Sequence, residues 1–235
     1  MILKKIIIMK IIKFFDCIDF FIYYYKNCFY ICMVEQKASE HLEQASAVFM
    51  RLGIKSVTMD DVARELGISK KTLYQFFEDK NDLIKKVFRF QYERDLASIT
   101  QASKSTKNAI DELIEVNNIM RARMTNMRSS IMYDLQKYHP EAWKMFAEYK
   151  NKYIYQFMMD NYERGVRENY YNEVLRADII IRIYLAKMEA IFDQQLFPIE
   201  TYNIPDVHRE LILYHIRSIA NSKGLKYLEK KSKSK

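Results

Sequence analysis

From Ala38 the apolar residues fall at Ala38, Leu42, Ala45, Phe49 and Leu52, a 4-3-4-3 spacing that places them on one face of an amphipathic helix. Gly53 follows, and glycine best tolerates the left-handed conformation that closes a helix. Thr58-Met-Asp-Asp61 then reads as a capping box: the threonine hydroxyl accepts from a first-turn amide, and acidic residues lie at the positive end of the helix dipole. Val62, Ala63 and Leu66 form the inner stripe of this second helix, and Gly67 ends it. Ser69 is placed to cap a third helix, Lys70 to Phe77, across a turn of only Gly67-Ile68-Ser69, the size found in helix-turn-helix motifs. Asp79 caps a fourth helix carrying Leu83, Ile84, Val87 and Phe88.

Beyond residue 96 no strand alternation appears as far as residue 222. The breaks are the Ser/Thr/Lys stretch 103–107, His139-Pro140, and Pro198 to Pro205. Between them the pattern predicts long helices at about 108–127, 129–138, 141–169, 173–196 and 206–221, with Pro140 in a first turn, where its missing N–H does no harm, and Asp206 as a cap. The sum is about nine helices and an all-α fold. Composition agrees: 4 Gly and 3 Pro in 235 residues are too few to punctuate a many-stranded sandwich or barrel. A chain of this length, 49% hydrophobic and 29% charged, holds one or two globular domains.

Residues 1–32 stand apart. They contain no Ala, Gly, Pro, Ser, Thr, Val, Glu or Arg, are dominated by Ile, Phe, Tyr and Lys, and hold all three cysteines. A signal peptide needs small residues at its cleavage site, and this stretch has none. Charges at Lys10, Lys13, Asp16, Asp19 and Lys26 interrupt any run long enough to span a bilayer, which takes about 20 apolar residues. The expectation is an AT-rich leader read as protein, with translation starting at Met33; a genuine terminal tail is the alternative. The rival for the whole chain is a membrane-anchored helical protein using residues 1–32.

The net charge of +8 is weak support for a polyanionic partner, because it lies at the ends. Five Lys and two Asp fall in residues 1–32, and six Lys and one Glu in the tail 223–235, so the body is near neutral. No cysteine remains after residue 32 for a disulfide framework or a thiolate zinc site, as in a reducing cytoplasm. Any nucleic-acid signal must come from local placement. On the third helix Leu73, Phe76 and Phe77 suffice as anchors, leaving Lys70, Lys71, Thr72, Tyr74 and Gln75 to face outwards, with Lys80 just beyond. Solvated lysines alone are ordinary; tyrosine and glutamine beside them make a phosphate-and-base surface.

The stretch Val57–Leu83, VTMDDVARELGISKKTLYQFFEDKNDL, resembles the DNA-binding domain of the TetR (tetracycline-repressor) family. Thr58, Asp61, Val62, Ala63, Gly67, Ser69, Thr72, Leu73, Tyr74, Phe77, Lys80 and Leu83 carry the match, which covers roughly residues 35–95; Lys71 departs from it, where many relatives carry a small residue. The resemblance implies a helix-turn-helix DNA-binding domain over 33–95 (motif about 58–77), a helical effector-binding and dimerisation domain over 96–222, and a basic tail over 223–235. It further implies a DNA-binding set of Thr58, Ser69, Lys70, Lys71, Thr72, Tyr74, Gln75 and Lys80. Thr58, Tyr74 and Lys80 would hold phosphates, and Lys70, Lys71, Thr72 and Gln75 would enter the major groove. Leu73 and Phe77 would be core. The function implied is a ligand-responsive transcriptional regulator, by family default a repressor, acting on a palindromic double-stranded DNA operator.

Two features of the remaining helices extend that expectation. Ile179, Ile183, Ala186 and Ala190 on one helix, and Leu211, Ile212, Ile216 and Ile219 on the last, give apolar faces broad enough to be buried on two sides, one of them against a second subunit. A homodimer would space two recognition helices ~34–36 Å apart; a helix buried inside one monomer is the alternative. The middle helices are rich in thioethers and rings, with Met120, Met124, Met127, Tyr133, Trp143, Phe146, Tyr149, Tyr153 and Phe157 as candidates to line a pocket for an apolar or aromatic effector. Ordinary core is the blander reading of any one of them.

No Gly-rich phosphate loop, Gly-flanked serine or His pair with metal spacing is present, so no catalytic residue, metal or cofactor is expected. His41, His139, His208 and His215 read as surface or interface histidines. The expected location is the cytoplasm, without membrane attachment.

Overall fold

Each helix of the N-terminal motif begins on a side-chain oxygen. In the computed structural model, which describes residues 36–125, 127–128 and 130–233, Thr58 caps α2 (Met59–Glu65), Ser69 caps α3 (Lys70–Phe76) and Asp79 caps α4 (Lys80–Ser105). Helix α1 covers residues 44–52, and residues 36–43 before it are helical. The chain divides between Glu43 and Gln44 into two compact units, and α1 to α11 belong to the second. The leader, tail or anchor expected of residues 1–32 lies outside the described residues.

The predicted capping box is complete. Thr58 Oγ1 accepts from the Asp61 amide at 3.2 Å while the Thr58 amide donates to Asp61 Oδ2 at 3.0 Å. At the other end of α2 the Gly67 amide reaches the Arg64 carbonyl and the Ile68 amide the Ala63 carbonyl, a paired closure that requires the positive φ of +67° at Gly67. Gly53 closes α1 in the same conformation, at φ +85°. Val62, Ala63, Leu73, Phe77, Leu83 and Ile84 are buried between the short helices.

Helix α4 runs 26 residues, roughly 39 Å at 1.5 Å per residue, and passes residue 95 unbroken. It is followed by α5 (Ala109–Met124), α6 (Ser130–Tyr138), α7 (Pro140–Tyr149), a π-helical turn at Lys150–Ile154, α8 (Tyr155–Arg167), α9 (Ala177–Ala190), α10 (Ile204–Ile219) and α11 (Ser222–Lys233). Pro140 occupies the first turn of α7 as expected. The predicted helix 141–169 is continuous through the π turn, where buried Lys150 pairs with Glu189 of α9. Among the described residues the helices are joined by turns and loops, and the one extended pairing is an isolated bridge between Tyr171 and Ala220.

Three details correct the pattern-based reading. The N-cap of α10 is Asn203, with proline in the first turn; Asp206 lies inside that turn and pairs with Arg121 at 2.9 Å. Residues 222–233 add a helix to the expected nine. It docks by burying Leu228, by donating from Tyr227 Oη to Asp111 Oδ2 at 2.8 Å, and by pairing Lys231 with Asp111 at 2.9 Å. His208 and His215, expected at a surface or interface, are both buried, 4% exposed, because they share the inner face of α10. Gly165 is where α8 allows close approach: a Cβ there would lie 2.0 Å from the Tyr171 ring.

Candidate nucleic-acid interface and internal cavity

On α3, Lys70, Lys71, Tyr74 and Gln75 are exposed, Tyr74 at 45%, while Leu73 and Phe77 are buried as their spacing requires. Thr72 turns back to its own cap, its hydroxyl 2.8 Å from that of Ser69. Lys70 donates to Asp60 of α2 at 2.8 Å, a contact that raises the lysine pKa. The outward polar face is thus cationic at Lys71 and locally neutralised at Lys70.

Two expected phosphate ligands are engaged elsewhere. The Thr58 hydroxyl donates to Asp61 Oδ2 at 2.6 Å, and together with the Thr58 amide it holds that carboxyl below its ordinary range. A hydroxyl has one proton, so Thr58 has none left for a phosphate in this arrangement. Lys80 donates to the Lys55 carbonyl at 3.3 Å, and partial burial lowers its pKa against the pull of Asp134 and Asp61. Its ammonium braces the segment between α1 and α2.

The same region is tied to α5, α6 and α7. Arg128 donates to the Leu52 carbonyl at 3.0 Å, and its amide to the Met50 carbonyl at 3.1 Å, fixing the end of α1 to the segment after α5. The Lys55 ammonium lies over the Tyr138 ring, 4.9 Å from its centroid. Lys85 of α4 pairs with Glu141 of α7 at 2.8 Å, and His139 Nδ1 is 2.8 Å from Asn81 Oδ1.

Behind these contacts lies a cavity of about 160 Å³ walled by α4, α5, the α7–α8 helix and the inner faces of α9 and α10, with Met50 of α1 reaching into its wall. The expected residues Met120, Met124, Met127, Phe146, Tyr149, Tyr153 and Phe157 line it. Tyr133 and Trp143 do not. Tyr133 follows the inward Met132 by one position, so it faces solvent, 49% exposed, and accepts from Lys137 Nζ at 2.8 Å. Trp143 packs behind Phe146, ring centroids 5.3 Å apart.

The wall also holds residues that composition could not single out. Tyr92 stacks on Tyr149 with centroids 4.6 Å apart and planes 15° from parallel. Arg123 pairs with Asp95 and donates to Gln91 Oε1 at 2.7 Å. Asn117 Oδ1 accepts from His208 Nδ1 at 2.9 Å; burial, then Arg121, lower that histidine to about 4, so it is neutral. A charged pair and a histidine scattered over α4, α5 and α10 leave no common signal in the sequence.

Of the residues expected at a subunit interface, Ile179, Ile183 and Ala186 are exposed and Ala190 and Leu211 half-buried. Ile212, Ile216 and Ile219 are at most 4% exposed within the single chain. They are therefore core of the protomer and cannot present a face to a partner; α10 turns them inward, and Ile212 meets the cavity. Tyr214, on the opposite side of α10, is 59% exposed. Among the described residues no helix is long and apolar enough to cross a membrane.

Comparison with known proteins gives this arrangement its context. Residues 42–87 match the family model described as bacterial regulatory proteins, tetR family. The chain is 23% identical over 156 residues to the HTH-type transcriptional repressor KstR2 of Mycobacterium tuberculosis, an alignment covering 63% of this chain and 76% of that protein. The structure of KstR2, a ketosteroid transcriptional regulator of Mycobacterium tuberculosis, superposes with a TM-score of 0.55 at 18% identity, over 79% of this chain and 96% of that one. A TetR-family regulator from Agrobacterium tumefaciens superposes at 0.65 with 14% identity, over 80% and 99%. The fatty acid degradation regulator FadR of Bacillus halodurans superposes at 0.61 with 13% identity, over 77% and 94%. The matched family and the repressor KstR2 are DNA-binding regulators, and the likeness to the solved structures, at 13–18% identity, is one of fold. Residues 42–87 thus form a DNA-binding domain of the tetR family, and the chain as a whole shares the fold of TetR-family transcriptional regulators.

Proposed function

We propose that the protein is a cytoplasmic, ligand-responsive repressor that binds a palindromic operator as a homodimer and is released by a small apolar or aromatic effector. The observation that carries this reading is that the cavity and the DNA-facing helices share their walls: Met50 belongs to α1, and α4 starts beside the recognition helix and continues as the cavity wall. A molecule that alters the wall biases the position of α4, and hence of α3, between two dimer shapes. Residues 33–95 act as the DNA-binding part and 96–222 as the effector and dimerisation part.

In this reading Ser69, Lys70, Lys71, Thr72, Tyr74 and Gln75 meet DNA from α3 and its cap, with Gln75 addressing a base edge and the lysines bases or phosphates. Thr58 and Lys80 join once their internal partners are exchanged for phosphate. Dimerisation uses the exposed side of α9 and α10, through Ile179, Ile183, Ala186 and Tyr214. The effector is apolar in body, a reading supported by the likeness to KstR2, a ketosteroid transcriptional regulator, and FadR, a fatty acid degradation regulator.

The test is fluorescence anisotropy of the purified chain against duplexes tiled across the DNA upstream of its own gene, at fixed salt with random-duplex competitor. Competitor-resistant binding to one near-palindromic segment is expected. Uniformly weak, salt-labile binding to that DNA and to sites enriched genome-wide alike would refute operator recognition.

A further inference from the structure

The cavity is apolar over most of its surface, but one end carries the polar groups of Tyr92, Asp95, Arg123 and Tyr149. Tyr92 Oη is inaccessible to solvent and has no hydrogen-bond partner among the described residues. The Tyr149 ring stacks against it, and the Arg123 charge acts on both phenols. The acceptors recorded nearby, Asp95 Oδ1 and both oxygens of Gln91, face Arg123 and not the Tyr92 hydroxyl. A buried donor without a partner is costly, so the site gains from any oxygen brought to it.

The charge of that oxygen follows from the same geometry. Arg123 is the cation of this end, and Asp95, which also lines the cavity, neutralises it. A carboxylate entering here would meet Asp95 without an unpaired cation to offset it. Both phenols are held as proton donors, because burial raises Tyr92 and pushes Tyr149 up to about 12.

Size sets a further limit. A cavity of about 160 Å³ matches the apolar cavities of about 150 Å³ that admit a single benzene-sized ring. Larger bodies must displace the wall, which the methionines Met120, Met124 and Met127 permit through their flexible chains.

Building on the reading of this cavity as an effector site, we propose that it selects compact neutral molecules with an apolar body and a single acceptor oxygen, a ketone, aldehyde or ether, held by the Tyr92 hydroxyl. Free carboxylic acids in their ionised form are excluded.

The test compares three near-isosteric probes, acetophenone, ethylbenzene and benzoate, by isothermal titration calorimetry against the full chain and Tyr92→Phe. Acetophenone is expected to bind most tightly, with Tyr92→Phe weakening it roughly five- to tenfold while leaving ethylbenzene unchanged, the loss of one neutral hydrogen bond. Ethylbenzene binding as well as acetophenone, benzoate binding tightest, equal weakening of all probes by the variant, or no binding of any probe would each overturn the proposal. Should Tyr92→Phe fail to fold, the order of the three probes on the wild-type chain still decides. Operator binding measured in parallel without probes separates the outcomes: if it persists while the probe order fails, the ligand class is wrong and the regulator stands.

Discussion

Gln91 Nε2 donates to the Ser46 hydroxyl at 2.6 Å, and this contact joins α4 to α1. The same carboxamide accepts from Arg123 Nη2 at 2.7 Å through Oε1, so a single side chain links a cavity-wall arginine on α5 to a buried serine of the first helix. Replacing Gln91 by Leu strands the Ser46 hydroxyl and one guanidinium arm, a cost of about 1–3 kcal/mol. Thermal denaturation is expected to show a melting temperature lower by about 3–10 °C for a chain of this size. A melting temperature within a degree of wild type would mean that the bridge contributes nothing to holding α1.

The Asp60–Lys70 pair restrains the outward polar face of α3. Asp60→Asn removes a negative charge from the side of α2 and releases the Lys70 ammonium, both groups being more than half exposed. Operator affinity should rise, and the slope of log K against log salt should steepen by about one, the contribution of one added phosphate contact. Gln75→Ala should instead change sequence preference; equal losses on cognate and mismatched duplexes would remove it from base reading.

Ile183 and Ile216 separate the proposed partner face from the core. Ile183 is 49% exposed and Ile216 is 0% exposed. Ile183→Glu should leave the helical circular dichroism intact and convert a dimer to a monomer in light scattering at micromolar concentration. Ile216→Glu buries a charge in the protomer and should abolish cooperative folding. An Ile183→Glu protein that stays dimeric would move the interface off this face.

Acid should destabilise the protein through its buried histidines. Burial, with Arg121 against His208 and Lys187 against His215, lowers both to about 4. The unfolded chain takes up these protons near pH 6.5 and the folded chain only near 4, so the stabilisation is complete above 6.5 and falls away as pH drops through that window. Each group accounts for at most about 3 kcal/mol. Comparing melting temperatures at pH 7.5, 6 and 5 for wild type and His215→Gln should give a smaller acid loss in the variant; parallel curves would exclude His215 as a contributor.

The head of the molecule was legible because its signals are local. Thr58, Ser69 and Asp79 cap helices within three residues of themselves, Gly53 and Gly67 close them by backbone conformation, and the apolar stripe at Leu73 and Phe77 follows helical spacing. The docking of the basic tail left no local signal, because it depends on Asp111, more than a hundred residues away.

What the sequence determined by itself is therefore the all-helical architecture, the helix-turn-helix and the enrichment of methionine and rings that surrounds the cavity. Only the tertiary structure decided which side of α10 is core, so that Ile212, Ile216 and Ile219 face inward with His208 and His215. It alone placed Lys80 on a carbonyl, sent Tyr133 to solvent, and set Tyr92 beside Arg123. Caps and periodicity act between neighbours along the chain, whereas burial and ion pairing depend on which distant helices come together, and two equally apolar faces of one helix differ only in what is packed against them.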